Sequence, residues 1–110
     1  MRFQAQPVDR TPTNLDDSGA VAAGLGVYTT LIDPIPPRSS WFQIRVIAGA
    51  GGSAQLALGA AGFEVNKLHW AFGAGSNYDV GNLSFHLPAG ERLSIMPTVN
   101  ITVEAHIYFY

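Results

Sequence analysis

The chain has 110 residues, of which 47% are hydrophobic and 13% are charged, and its formal net charge is −2. This length fits one domain, and the slight negative charge excludes the cationic surface that binding to a nucleic-acid backbone requires. The chain has no cysteine, which excludes disulfides, thiolate metal sites and cysteine nucleophiles. The low share of charged residues predicts an uncharged surface suited to contact with copies of itself or with other proteins.

The first segment, residues 1–24, predicts an irregular N-terminal arm, followed by a single domain over residues 25–110. The arm contains Pro7, Pro12 and several aspartates, and its apolar residues follow no sustained period, although a short strand within it stays open. Its start lacks the apolar core of a secretory signal, so the sequence predicts a protein that is not exported by that route. No later run is apolar enough to predict a membrane span.

Three strands are predicted in the first half of the domain. Residues 24–32 form a β-branched and aromatic run that ends at a proline-rich stretch. Residues 40–48 alternate apolar and polar side chains, which is typical of a half-buried strand. The glycines of residues 49–53 predict a turn, and residues 55–58 are expected to return as the second arm of a hairpin.

The middle of the chain is harder to interpret. Residues 63–72 place bulky side chains on both faces, so a bulge, a fully covered strand or a short helix stays open, with flanking glycines favouring a strand. Residues 73–82, rich in glycine, serine and asparagine, predict an exposed loop. Residues 83–87 and 93–95 are expected to form a second hairpin around a proline and glycine turn.

The clearest pattern is the last one. From Val99 to Tyr110, apolar and polar or aromatic residues alternate without interruption, which predicts a long strand with one core face. Several short strands separated by turn residues predict an all-β fold, an antiparallel β-sandwich or barrel. We expect the apolar set of this strand to be buried with Phe42, Ile44 and Val46.

Motifs for catalysis or cofactor binding do not emerge. The nucleophile elbow Gly-x-Ser-x-Gly is missing, and the glycines of residues 49–53 are not followed by the lysine of a phosphate loop. Three histidines and a glutamate could converge as a metal site, but their spacing matches no known ligand pattern. These residues are His69, His86, His106 and Glu104. The sequence therefore predicts no enzyme, no catalytic residue, no cofactor and no metal.

Aromatic side chains are the remaining candidates for partner contacts. The predicted contact residues are Trp70, Tyr78, Tyr108 and Tyr110. They could form a stacking platform for a sugar ring, or they could pack under the N-terminal arm or against a neighbouring subunit. Packing is favoured, because the outer face of the last strand does not itself carry the carboxylate and amide cluster that sugar hydroxyls require.

The segment Leu87-Pro88-Ala89-Gly90-Glu91-Arg92-Leu93-Ser94-Ile95, with Val99-Asn100-Ile101-Thr102-Val103 and the closing Tyr108-Phe109-Tyr110, resembles the last hairpin of small tailed-phage virion proteins. The resemblance covers about the last third of the chain. It implies a jelly-roll-like sandwich that serves as a head decoration or cement subunit, or as a minor capsid or tail component. It also implies production in the host cytoplasm, residence in the virion, a capsid or other virion protein as partner, and a homo-oligomer, by analogy a trimer.

Two functions are therefore predicted. The first is a non-enzymatic virion structural protein, a capsid decoration or related assembly subunit that acts through protein–protein contacts. The alternative is a carbohydrate-binding or receptor-binding β-sandwich module that uses the aromatic residues above. Neither function requires nucleic acid or a membrane as a partner.

Overall fold

The computed structural model describes residues 13–39, 41–81 and 88–109, with the backbone alone at residues 41, 77–81 and 109. All regular secondary structure in these ranges is β-strand. The strands are β1 (Thr13–Asp17), β2 (Val21–Ala23), β3 (Thr29–Ile32), β4 (Trp41–Ala48), β5 (Gly52–Leu58), β6 (Val65–Phe72), β7 (Gly75–Gly81), β8 (Leu93–Pro97) and β9 (Ile101–Phe109). Within the same ranges, no helix is long and apolar enough to cross a membrane.

The strands form two antiparallel sheets that pack face to face. Sheet A has the order β1-β9-β4-β7, and β2 pairs with β9 beyond the end of β1. Sheet B has the order β3-β8-β5-β6. All strand pairs are antiparallel. The predicted all-β fold, an antiparallel β-sandwich, is confirmed.

The predicted facing of the last strand is also confirmed. In β9, Ile101, Val103, Ala105 and Ile107 are buried, while the residues between them lie on the outer face of sheet A. Their neighbours in β4 are Phe42, Ile44 and Val46, which are buried as expected. Period-two alternation places all apolar side chains of a strand on one face, so these two strands supply most of sheet A's contribution to the core. Val99 precedes the strand and is only partly buried against the core.

Sheet B supplies the other half of the core from β3, β5 and β8. Its buried apolar side chains include Leu56, Leu93 and Ile95, which are 0% exposed. Ile35, in the proline-rich stretch after β3, is buried with them at 1% exposure. Its backbone N–H donates to the carbonyl of Glu91, and its carbonyl accepts from Gly90, so this stretch is fastened to the start of β8.

The expected hairpin between β4 and β5 is wrong. β4 lies in sheet A and β5 in sheet B, so the glycine-rich residues 49–52 carry the chain from one layer to the other. Gly52 shows why a small residue is needed there. A Cβ at this position would lie 2.9 Å from Cγ2 of Val99, closer than real Cβ atoms approach. The glycines were correctly assigned to a change of direction, but they join sheets and not paired strands.

The expected loop at residues 73–82 is also wrong over most of its length. Residues 75–81 form β7, which pairs with β4 from Gly75 opposite Ala48 to Gly81 opposite Phe42. Glycine, serine and asparagine disfavour strands, but β4 presents an edge whose backbone groups need partners, and tertiary context overrides weak propensity.

Residues 65–72 form a strand with a bulge, as the strand alternative predicted. The register changes from Leu56 opposite Leu68 to Ala57 opposite Asn66, which leaves Lys67 as the extra residue of the bulge. The bulge reverses the alternation, and this explains why the sequence placed bulky residues on both faces. A helix at this position is excluded.

The described part of the N-terminal segment belongs to sheet A. Residues 13–17 and 21–23 form β1 and β2, and both pair with β9. Ala23 is 2% exposed within the common core, and Leu15 packs against that core. The short strand that the sequence left open is therefore two strands.

The first arm of the expected hairpin at residues 83–87 lies outside the described residues, and β8 pairs with β3 and β5.

Candidate interaction surfaces

The predicted contact aromatics do not lie together. Trp70 is in β6 of sheet B, where its half-buried side chain packs against the core and its Nε1 is shielded from solvent. Tyr108 is half-buried on the outer face of sheet A. Tyr78 belongs to β7, opposite Arg45 in register, and Tyr110 lies outside the described residues. Because Trp70 and Tyr108 are in different sheets, they cannot share one stacking platform.

The outer face of sheet A, which we term the polar face, carries hydrogen-bonded side chains from β1, β4 and β9. At one end, Nδ1 of His106 is hydrogen-bonded to Oδ1 of Asp17. The same carboxylate oxygen accepts from Nδ2 of Asn14 at 2.9 Å. The hydrogen bonds from His106 and Asn14 lower the pKa of Asp17 below its ordinary value of 3.8. The bond from His106 fastens β1 to β9, and the bond from Asn14 orients the carboxylate within β1.

Tyr108 lies beside this cluster. Its ring centroid is 6.4 Å from that of His106, with the ring planes tilted by 43°. Asn14 is directly opposite Tyr108 in the β1–β9 register, so an amide, a carboxylate, an imidazole and a phenol ring share one end of the polar face. This cluster was not predicted from the sequence, because its amide and carboxylate come from the predicted arm. The polar residues of Thr13–Asp17 were the only signal for it.

The middle of the polar face is a second hydrogen-bonded group. Nη1 of Arg45 donates to Oε2 of Glu104 at 2.9 Å, and its Nε donates to Oγ of Ser76 at 3.0 Å. Arg45 and Glu104 are direct cross-strand neighbours in β4 and β9. Opposite charges at such positions stabilise a sheet modestly. The pair leaves the centre of the polar face partly exposed, with these two charges balanced.

The imidazole and carboxylate of the polar face do not extend into a nucleophilic triad among the described side chains. The nearest hydroxyl in sequence, Oγ of Ser18, donates to the carbonyl of Gly19 and accepts from the N–H of Ala105. That hydroxyl is thus used to hold the turn after β1 against β9. The hydrogen bond between Asp17 and His106 has the same structural role.

The outer face of sheet B, which we term the bridged face, is organised differently. The hydroxyl of Tyr28, just before β3, donates to Oδ1 of Asn66 in β6. Since β3 and β6 are the two edge strands of sheet B, the tyrosine side chain and this bond connect one edge of the sheet to the other. The register places Ala57 and Ser94 between Thr30 and Asn66 on this face, and both are 0% exposed although they point away from the core cluster. Small side chains at these positions leave room for the tyrosine to cross the sheet.

A second bridge crosses the same face one step along the strands. Nε of Arg92 donates to Oγ1 of Thr30 at 2.6 Å, and its Nη1 donates to Oε2 of Glu64 at 2.8 Å. The side chains of Arg92 and Glu64 are only 11% and 10% exposed. Hydrogen bonding to its own backbone N–H, followed by that from Arg92, lowers the pKa of Glu64 below its ordinary value of 4.5.

Two pockets open on sheet B. The apolar pocket, about 160 Å³, lies at one end of the bridged face. It is lined by Leu25, Gly26, Ser53, Ala54, Gln55, His69, Met96, Pro97 and Thr98. The acidic pocket, about 500 Å³, lies at the other end, where β3 ends and β8 begins. It is lined by Thr30, Asp33, Gly59, Ala60, Ala61, Gly90, Glu91 and Arg92.

The residues considered for a metal site are separated. His106 and Glu104 lie on the polar face, whereas His69 is in β6 of sheet B and His86 lies outside the described residues. Among the side chains that the structure places, no group of three or more metal-binding residues occurs. His69 lines the apolar pocket instead.

Exposed bulky apolar side chains are the remaining surface feature. Leu25 and Val27 are each 59% exposed before β3. Phe63 is 80% exposed and Val65 is 55% exposed at the turn between β5 and β6. Ile47, on the polar face, is 38% exposed. The sequence analysis predicted an uncharged surface in general terms but did not name these residues.

The fold and these surfaces define a two-sheet antiparallel β-sandwich with hydrogen-bonded outer faces and exposed apolar side chains at its loops. Comparison of the chain with protein-family models, with curated proteins and with solved structures finds no match.

Proposed function

We propose that this chain is a non-enzymatic assembly subunit that acts through protein–protein contacts, and more specifically a virion structural protein such as a capsid decoration or cement subunit. The observation that carries the proposal is the exposure of large apolar side chains, above all Phe63 at 80%, on a chain of which only 13% is charged. Exposed apolar surface of this kind is typical of protein interfaces.

The state of the polar groups supports a role without turnover. The imidazole of His106 is held by Asp17, and the guanidinium groups of Arg45 and Arg92 are held by Glu104 and Glu64. Pairs of this kind stabilise the sheets modestly, and among the described side chains no hydroxyl is bonded to His106 to complete a nucleophilic triad. Assembly requires only a complementary surface, and the exposed apolar side chains at the loops provide one.

The finer parts of the proposal rest on the resemblance of the last third of the chain to phage virion proteins. They are the jelly-roll connection of the strands, the location in a virion, a capsid protein as partner and a homo-oligomer of three. The two-sheet antiparallel architecture is compatible with a jelly roll. A virion subunit also works in symmetric arrays, where one surface patch is used by every copy.

The direct test measures the mass of the purified full-length chain by light scattering at micromolar concentration, together with mass spectrometry of purified virions. The proposal predicts a mass of more than one chain and detection of the protein in the particles. A chain that stays monomeric at millimolar concentration would contradict the assembly role.

A carbohydrate-binding function is the second candidate, and one observation favours it. The structure brings Asn14 and Asp17 next to His106 and Tyr108, so an amide and a carboxylate do stand beside an aromatic ring. Such a combination can hydrogen-bond sugar hydroxyls while the ring stacks on the sugar. A glycan array tests this candidate. Binding that is lost in Tyr108→Ala supports it, and an array without any bound glycan rejects it.

A further inference from the structure

The turn between β5 and β6, which we term the hairpin tip, comprises residues 59–64 and presents the most exposed large apolar side chain that the structure describes. Phe63 is 80% exposed, and Ala60, Ala61 and Gly62 beside it are exposed and uncharged. Isolated exposed apolar residues are normal, but a fully projecting phenylalanine on an apolar loop is a feature of binding surfaces.

The hairpin tip is held by specific hydrogen bonds. The N–H of Phe63 donates to the carbonyl of Ala60 at 2.9 Å, and the N–H of Gly62 donates to the carboxylate of Glu64 at 3.0 Å. Glu64 is in turn fixed by Arg92. Gly59 completes the turn at a φ of +122°, where a Cβ would lie 2.6 Å from the carbonyl oxygen of Phe63. A preordered loop loses little conformational entropy when it binds, which favours affinity.

The acidic pocket adjoins the hairpin tip, since Ala60 and Ala61 form part of its wall. Asp33 and Glu91 are exposed at its rim. The third charged residue of its lining, Arg92, is already paired with Glu64. The pocket therefore combines small apolar walls with two carboxylates, and it fits an apolar group accompanied by a positive charge.

The β5–β6 hairpin itself carries an apolar group accompanied by a positive charge. Lys67 is exposed at the bulge of β6, four residues after Phe63, and within the described ranges it has no ion-pair partner. One arm of the hairpin thus presents an aromatic side chain and a cation, while the adjoining pocket presents apolar walls and two anions. The two surfaces are complementary in polarity and in charge.

We propose that the hairpin tip docks into the acidic pocket of a second copy of this chain, with Phe63 seated against Ala60 and Ala61 and Lys67 near the rim carboxylates. The inference rests on the proposed role of the chain in assembly and names the surface that this role uses. Because the tip and the pocket adjoin each other, a two-fold arrangement lets both copies fill both pockets at once, so this contact predicts a dimer in place of the ring of three that the resemblance implies. Complementary charge at the rim would also speed the encounter and set its orientation.

The charges also argue against a lipid surface as the occupant. Asp33 and Glu91 flank the hairpin tip, and a single lysine does not balance them near an anionic membrane. A second copy provides both the cation and the apolar group in one rigid element. Vesicles of anionic phospholipid are therefore expected not to bind the chain, and tight binding to them would overturn the inference.

The test compares self-association of three full-length variants by analytical ultracentrifugation. Phe63→Ser removes the docking side chain, and Ala61→Arg fills the pocket wall with a bulky cation. Both are expected to raise the dissociation constant roughly tenfold or more, as for loss of an aromatic interface residue. Val27→Ser is the matched control, because Val27 is also exposed, at 59%, but lies away from the tip. It is expected to associate like the parent.

Thermal unfolding checks that each variant is folded, and all three replaced side chains are exposed, so their melting temperatures are expected to stay close to the parent's. If the parent associates and Phe63→Ser associates equally well, for example as an unchanged ring of three, the proposed contact is wrong while the assembly role stands. If the parent itself is monomeric, both the contact and the assembly role are wrong.

Discussion

The two outer faces of the sandwich differ in how deeply their outward-facing side chains are buried. On the polar face, the outward residues of β9 stay partly exposed, and their charges pair locally with neighbours such as Arg45. On the bridged face, the outward residues Ala57 and Ser94 are as buried as the core, because Tyr28 spans the sheet above them. Side chains from an edge strand can therefore create a second, small buried layer on a face that alternation assigns to solvent.

The largest expected effect lies between the two sheets. Val103 is 0% exposed, so Val103→Asp would place an unpaired carboxylate in the core, and we expect a loss of about 4 kcal/mol or more in the free energy of unfolding. Chemical denaturation measures it. The control is Thr102→Asp, one residue away on the polar face, for which a change within about 0.5 kcal/mol is expected. Equal effects of the two variants would contradict the facing of β9.

A larger outward side chain should lower the free energy of unfolding more on the bridged face than on the polar face. Ala57→Leu inserts volume beneath the span of Tyr28 and is expected to cost about 1–3 kcal/mol, typical of overpacking. Ala22→Leu, at an exposed position of β2 opposite Thr102 on the polar face, adds the same bulk toward solvent, and its cost should stay within about 0.5 kcal/mol. Urea unfolding of both variants gives the comparison. If Ala57→Leu is tolerated as well as Ala22→Leu, the bridged face is not a buried layer.

The hydrogen bond that closes the bridge should have a smaller effect. Tyr28→Phe removes only the hydroxyl that bonds Asn66, at 2.5 Å, and we expect a loss of about 1 kcal/mol. Asn66→Ala in the Tyr28→Phe background should then have little further effect, because the two groups act as one pair. A double-mutant cycle by thermal unfolding measures this coupling, and additive losses would show that the bond does not contribute.

The smallest effect is the acid dependence of the bond between β1 and β9. Since the folded pKa of Asp17 is lowered, its carboxylate stabilises the fold above the unfolded pKa of about 3.9, and this contribution is lost as pH falls through the folded value. The side chain of Asp17 is 49% exposed, so solvent screening limits the effect to about 0.5 kcal/mol.

Asp17→Asn tests that expectation by urea unfolding at pH 5.5 and pH 2.5. The variant should be less stable than the parent at the higher pH, and the difference should shrink at the lower pH as the carboxylate becomes protonated. Glu91→Gln is the control, because Glu91 is exposed and its carboxylate makes no ion pair with the described residues. A difference that persists unchanged at pH 2.5 would exclude the carboxylate as its cause.

The fold class and the core of sheet A follow directly from the residue pattern. Uninterrupted alternation from Ile101 to Ile107 and from Phe42 to Val46 can bury its apolar residues in only one way, because a strand presents alternate side chains to opposite faces. For residues 63–72, with bulky groups on both faces, the sequence favoured a strand and left a bulge open as one alternative, and strand pairing places that bulge at Lys67.

Only the tertiary structure decided which strands pair and which surfaces form. Gly75–Gly81 becomes a strand because β4 offers an open edge, and residues 49–52 join two sheets because the partners of β4 and β5 lie elsewhere in the chain. The Asn14 and Asp17 cluster and the span of Tyr28 join residues that are 38 or more positions apart. Such contacts follow from strand order, which local periodicity does not encode, because the same alternating strand can pair with several others.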